Sequence, residues 1–315
     1  MIFIAKAPGK IIITGEHFVV HGSYALAAAI DRGAIARASL SDRTLIFSKT
    51  LGLNAELPDK VPYRLTSLAE ALKATLNYLD ESRGLKIEIE TNLPVSAGLG
   101  SSAAGAVALV TAASSALGHT LKAKEIMKLA MVSEKIIHGD PSGIDPAIAT
   151  YGGVMLFKKG CPQKPVQLKV PIEFIIGYSG AGYSTYKMIR KFAQYKNSNP
   201  STFRALVDSS SIMGKTAASA LITGDLKLLA SIINFNHTVL TALGVSSNKL
   251  NNLVENALNA GCIGAKLTGG GGGGCIIALP KSREQSGVLE KIAIEAKESW
   301  KVKIPMKGVK VWQEK

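Results

Sequence analysis

The chain has 315 residues, 47% hydrophobic and 19% charged, which excludes a disordered polymer and supplies apolar surface for one or two domains. Its net charge of +14 admits polyanionic partners, but Lys and Arg are spread along the chain without a nucleic-acid motif, so anionic small ligands and a basic surface are favoured. The N-terminal apolar run is broken at Lys6, and the run 103–117 is interrupted by Gly105, Thr111, Ser114 and Ser115, so neither a signal peptide nor a membrane span is expected.

From the N-terminus, 2–7 reads as a short strand, Pro8-Gly9 as a turn, and Ile11-Ile12-Ile13 as a β-branched buried strand. Gly15 opens a turn that would display Glu16 and His17. Lys10 fits either a strand edge or a site. The stretches 24–30, 34–40 and 44–48 continue as short pieces of a mainly antiparallel sheet. Residues 50–64, with Pro58 and Pro62, read as loop, and 66–79 as a helix with Thr66 or Ser67 as cap.

Residues 85–91 alternate apolar and charged side chains, the period of a half-buried strand. There follows Leu93-Pro94-Val95-Ser96-Ala97-Gly98-Leu99-Gly100-Ser101-Ser102-Ala103-Ala104, and then an Ala/Val/Leu-rich helix to 117. A strand, a glycine loop and a helix N-terminus make a phosphate cradle, because the loop approaches closely and the first helical amides face the anion. The stretch also satisfies G-x-G-x-x-G/A, but a dinucleotide-binding strand should be apolar on both faces, and Lys86, Glu88 and Glu90 are not. A P-loop is absent: Gly214-Lys215-Thr216 lacks its partner glycine at Ser209.

A helix over 122–137 carries Glu134 near its C-terminus, where a carboxylate is disfavoured, which hints at cation binding or at pairing with the neighbouring Lys135. Asp145 sits in a Pro/Gly-rich turn and fits a helix cap or a catalytic carboxylate. A strand follows at 154–157, and Lys, Gly, Cys and Pro cluster at 158–165, a plausible boundary between 1–160 and 161–315. Beyond it come a strand at 174–178, a Gly/Ser/Thr loop to Thr185, and helices over 203–223, 225–243 and 248–260. Six consecutive glycines, 269–274, run straight into a strand at 275–279, which favours a loop packed against another backbone or a ligand over a linker. A last helix is expected over 286–300 and a last strand over 309–312. Cys161, Cys262 and Cys275 form no CxxC pair or zinc spacing, which fits a reducing cytoplasm. His17 and His21 lack the further ligands that a transition-metal site needs.

Three motifs, Pro8-Gly9-Lys10 with Gly15-Glu16-His17, the 93–104 loop, and Lys266-Leu267-Thr268-Gly269 into the glycine run, stand in an order that resembles the GHMP small-molecule kinases. The one departure is Gly270, where the family usually has Ala; it should loosen the loop without removing a functional side chain. The resemblance implies a two-domain α+β fold, the N-terminal domain like ribosomal protein S5 domain 2 and the C-terminal one ferredoxin-like, with the active site between them. The segment Glu134 to Gly153 looks like that of members acting on mevalonate. It implies ATP-dependent phosphorylation of the C5 hydroxyl of (R)-mevalonate, with another kinase of the same pathway (phosphomevalonate kinase or mevalonate 3-kinase type) as the alternative. A nucleotide-dependent oxidoreductase or a nucleic-acid binder would not account for three motifs in order. The family's roles carry over residue by residue. Residues 94–104 would bind ATP, Ser102 and Glu134 would hold Mg²⁺, Asp145 would be the base with Lys10 beside it, and Glu16, His17 and Thr185 would contact the substrate. Neither nucleic acid nor membrane is an implied partner, and a homodimer is compatible with the family.

Overall fold

A computed structural model of the chain describes residues 1–180, 185–282 and 287–314; at 185–187, 189 and 191 it describes the backbone alone. In chain order, the first part comprises β1 (Phe3–Thr14), β2 (Ala25–Ser41), β3 (Thr44–Ser48), β4 (Leu53–Leu57), α1 (Thr66–Leu79), β5 (Gly84–Thr91), α2 (Ser101–Ala116), α3 (Ala123–His138), α4 (Ile144–Tyr151), β6 (Val154–Phe157) and β7 (Lys164–Val166). The second comprises β8 (Glu173–Tyr178), α5 (Thr185–Ser198), α6 (Pro200–Thr223), α7 (Leu226–Ala242), α8 (Asn248–Asn259), β9 (Cys262–Thr268), β10 (Cys275–Pro280), α9 (Val288–Ala293), β11 (Glu298–Lys303) and β12 (Lys310–Gln313).

Two sheets organise these elements. The first runs β12-β1-β2-β5-β3-β4, with β6 pairing β2 and β7 pairing β6; the second runs β11-β8-β10-β9. All pairings are antiparallel except β3 with β5. The alternation in β5 works as the sequence implies: Leu85, Ile87 and Ile89 are buried, and Glu88 and Glu90 meet Lys49 and Arg37 on the other face. One face of the first sheet is covered by α1, α2 and α3. Its other face packs with α6, α7 and the second sheet through Ile11, Ile13, Leu26, Phe174 and Ile277. Helix α2 is buried nearly all round, from Ala103 to Ser114, as expected of a helix with no polar face. Among the described residues no helix is long and apolar enough to cross a membrane.

Several boundaries differ from those expected. Pro8-Gly9 is no turn: β1 continues through it, with a register shift against β2 where Pro8 pairs Gly33 and Gly9 pairs Ile30. That bulge lets two expected strands merge into the single 17-residue β2. The expected loop 50–64 contains β4 and a short turn of 3₁₀ helix, Tyr63–Leu65. Helix α5 was not foreseen. Of the helix expected over 286–300, Ser286 lies outside the described residues, and the helix observed, Val288–Ala293, stops early, because Trp300 and Val302 are buried while Glu298, Lys301 and Lys303 are exposed, the alternation of a strand.

Candidate active site

The 93–104 loop is pinned on both sides. Leu93, Ala97 and Leu99 are buried in the core shared with the second sheet, and Ala104 enters the core on the opposite side. Val95 and Ser96 are exposed, and Pro94, Gly98, Gly100, Ser101 and Ser102 are half-buried. The apolar side chains of the loop therefore anchor it, which leaves its backbone groups and the two serines to face outward. Gly100 caps α2 with φ +72°, and a Cβ there would lie 2.9 Å from Lys10 Cγ and 3.5 Å from an Asp145 oxygen. Its lack of a side chain is what lets the helix N-terminus sit directly against those two residues.

Lys10 enters from β1 just past the bulge. Its amide donates to Leu99 O at 2.9 Å and its buried ammonium to Gly98 O at 3.0 Å, with Asp145 Oδ1 at 3.4 Å. Asp145 is not in the turn before a helix, as its Pro/Gly surroundings suggested. It is the second residue of α4, which begins after Gly143 (φ +87°). The first turn of α4 thus presents the carboxylate to Lys10 where the helix dipole favours negative charge. Alongside, Ser102 Oγ donates to Glu134 Oε1 at 2.9 Å, and His138 Nε2 lies 3.8 Å from the other Glu134 oxygen. Burial, and then the charge of Asp145, push the Glu134 carboxyl up to about 7 against the bond from Ser102 and the nearby Lys10. Burial holds His138 below its ordinary value. Oxygen donors from Ser102 and Glu134, with Asp145 close, suit a hard divalent cation. Among the described residues no group of three or more His, Cys, Asp or Glu could hold a metal alone, so such a cation would complete its shell from phosphate oxygens and water.

The glycine run closes the other side. Gly98 (φ +82°) and Gly269 (φ +81°) meet backbone to backbone: a Cβ on Gly98 would lie 2.8 Å from Thr268 O, and one on Gly269 2.7 Å from Gly98 Cα. The run is therefore a loop packed on another backbone. Gly270 does not adopt a positive φ, and its carbonyl takes part through a 3.1 Å contact with His17 Nε2. Burial lowers His17 to about 4, so the ring is neutral and bonds the carbonyl through an Nε2 proton. Among the described residues His17 (φ +61°) and Ser96 (φ +57°) are two of the three non-glycine residues with positive φ, a strain that gathers at functional sites.

The structure brings Lys10, Gly98, Gly100, Ser102, Glu134 and Asp145 into one cluster. It does not bring Glu16 to the open cleft: the residue is 1% exposed and its carboxylate is paired with the buried ammonium of Lys266. Thr185 is the first residue of α5, and its side chain lies outside the described ones. Two residues that the sequence placed in the third motif without a role of their own, Lys266 and Thr268, prove central. Thr268 Oγ1 accepts from Ile12 N at 2.8 Å and donates to Ile12 O at 3.2 Å. The available signal was a lysine amid an apolar strand, Ala265-Lys266-Leu267.

The chain matches the family model "GHMP kinases N terminal domain" over residues 65–153 and "GHMP kinases C terminal" over 217–297. A mevalonate kinase of Thermococcus sibiricus is 33% identical over 328 residues, covering 98% of each chain. One of Pyrococcus abyssi is 36% identical over 305 residues, covering 90% of each. The crystal structure of L. major mevalonate kinase in complex with R-mevalonate superimposes with TM-score 0.82 at 29% identity, covering 95% of this chain and 94% of that one. The Methanococcus jannaschii mevalonate kinase gives 0.84 at 28%, covering 97% and 98%. The chain belongs to the GHMP kinases, two-part α+β phosphotransferases that take ATP as co-substrate.

Proposed function

We propose that the enzyme is a mevalonate kinase, transferring the γ-phosphoryl group of ATP to the C5 hydroxyl of (R)-mevalonate. The observation that carries the reading is the Lys10–Asp145 pair held against Gly100 at the phosphate-loop helix, with Ser102 and Glu134 beside it. Phosphoryl transfer needs positioning, charge neutralisation and an oriented nucleophile. In this reading the amides of 98–102 and the α2 dipole hold the phosphates, and Ser101 and Ser102 add hydroxyls. Asp145 accepts the proton of the C5 hydroxyl, and Lys10 offsets the alkoxide charge that develops on the oxygen. Ser102 and Glu134 would hold Mg²⁺, which neutralises phosphate charge when bound. His17, tethered to Gly270, lines the acceptor end.

The same reading divides the chain near residue 160 into 1–160 and 161–315, with β7 and β12 returning to complete the first sheet. Three free cysteines accord with work in a reducing cytoplasm.

The test is ATP with mevalonate, phosphomevalonate, homoserine or galactose in separate reactions. Phosphorylation of mevalonate at C5 is expected, and product from phosphomevalonate but not mevalonate would overturn the reading. In the same assay Asp145→Asn should lower turnover about 10³-fold or more while ATP still binds; turnover like the wild type's removes Asp145 as base.

A further inference from the structure

Between the end of β1 and the end of β9 the chain is joined by side chains, where the two sheets do not pair. Lys266, 0% exposed, pairs with the Glu16 carboxylate, donates to Leu267 O at 2.6 Å and lies 3.4 Å from Ile12 O. Thr268 clasps the amide and carbonyl of Ile12, and His17 Nε2 bonds Gly270 O. Glu16 is 1% exposed and, among the described residues, its other oxygen has no hydrogen-bond partner, so Lys266 is what holds the carboxylate.

A buried ion pair is poor evidence for stability. Taking both charges out of water costs several kcal/mol, and two well-packed apolar side chains would serve a core at least as well. What such a pair does supply is a single geometry. Here that geometry belongs to the turn Gly15-Glu16-His17, in which His17 holds an unfavourable φ of +61°. The contact between the phosphate loop and β9 does not depend on Lys266, because it is made by the backbones at Gly98 and Gly269.

We propose that Lys266 is a positioning residue for the acceptor: through Glu16 it fixes the turn that carries His17, and so sets the acceptor end of the site independently of the ATP end. The proposal rests on the kinase reading for its two substrates. It extends that reading to a residue which touches neither of them.

The experiment measures KM for acceptor and for ATP, with melting by circular dichroism, in Lys266→Met and in the double variant Glu16→Gln/Lys266→Met. The double leaves no unpaired buried charge, so it should melt nearer the wild type than the single. In both, the acceptor KM should rise about tenfold or more while the ATP KM stays within about threefold. An unchanged acceptor KM, a parallel rise in both constants, or a double variant that does not fold overturns the proposal and leaves the pair a structural role. A wild-type chain that ignores mevalonate but phosphorylates another acceptor overturns the substrate assignment alone, and the same comparison is then made with that acceptor.

Discussion

Glu134 carries a carboxylate into a place where water does little to solvate it, 2% exposed, with Asp145 near. Its titration is raised to about 7 by burial first and by Asp145 second. The sign follows. Between the ordinary carboxylate range and pH 7 the folded protein keeps a proton that the unfolded chain has lost, so this group's contribution to stability is present at low pH and is lost as pH rises through 7. Without divalent cation, Glu134→Gln should therefore melt above the wild type at pH 8, by on the order of 2–3 kcal/mol, and alike at pH 4. With Mg²⁺ and ATP, the wild type's half-saturating Mg²⁺ should fall between pH 6 and 8 and the variant's should not. A flat wild-type profile would remove Glu134 from the metal site. This residue was legible in the sequence because a carboxylate at a helix C-terminus conflicts with the dipole. Lys266 stood in the third motif but its role was not legible, since a lysine in an apolar strand looks the same whether its ammonium reaches solvent or a buried partner 250 positions away.

At the scale of elements, the phosphate loop depends on its fit to the glycine run. A side chain at Gly98 meets Thr268 O and must hold φ +82°, a conformation that alone costs roughly 1–2 kcal/mol. Gly98→Ala should lower the melting temperature and raise the ATP KM more than the acceptor KM; kinetics like the wild type's would show that the two loops part easily. Strand, loop and helix were readable here because each has its own local pattern. Elements failed where two patterns overlapped. The helix Val288–Ala293 is followed a few residues on by Glu298-Ser299-Trp300-Lys301-Val302, and the alternation of β11 was too short to mark the change. Asp145 was read as a turn residue because Gly143 and Pro146 flank it, yet a proline in the first turn of a helix suits α4.

For the whole molecule, the sheet order was out of reach of local pattern, since β12 pairs β1 across some three hundred residues and β6 returns to β2. Such pairings are decided by which edges remain free once the cores have formed. The side chains of β12 are exposed, so its contribution is mainly the hydrogen-bonded ladder on β1. Deleting 310–315 should lower the melting temperature by roughly 3–8 °C and promote association on heating, because the uncovered edge of β1 can pair with another chain. Scanning fluorimetry with light scattering checks both; an unchanged melt would mean that the strand adds nothing.

The facing of Gly98 and Gly269 also bears on how such a site can diversify. Where two backbones touch, every replacement adds atoms, so the nucleotide wall offers no graded series of variants through which preference could drift. In the proposed reading the acceptor end is set by side chains, His17 with the buried Glu16 and Lys266 behind it, which can be exchanged one at a time. Descendants of such a scaffold are free to change the alcohol they phosphorylate long before they can change the donor.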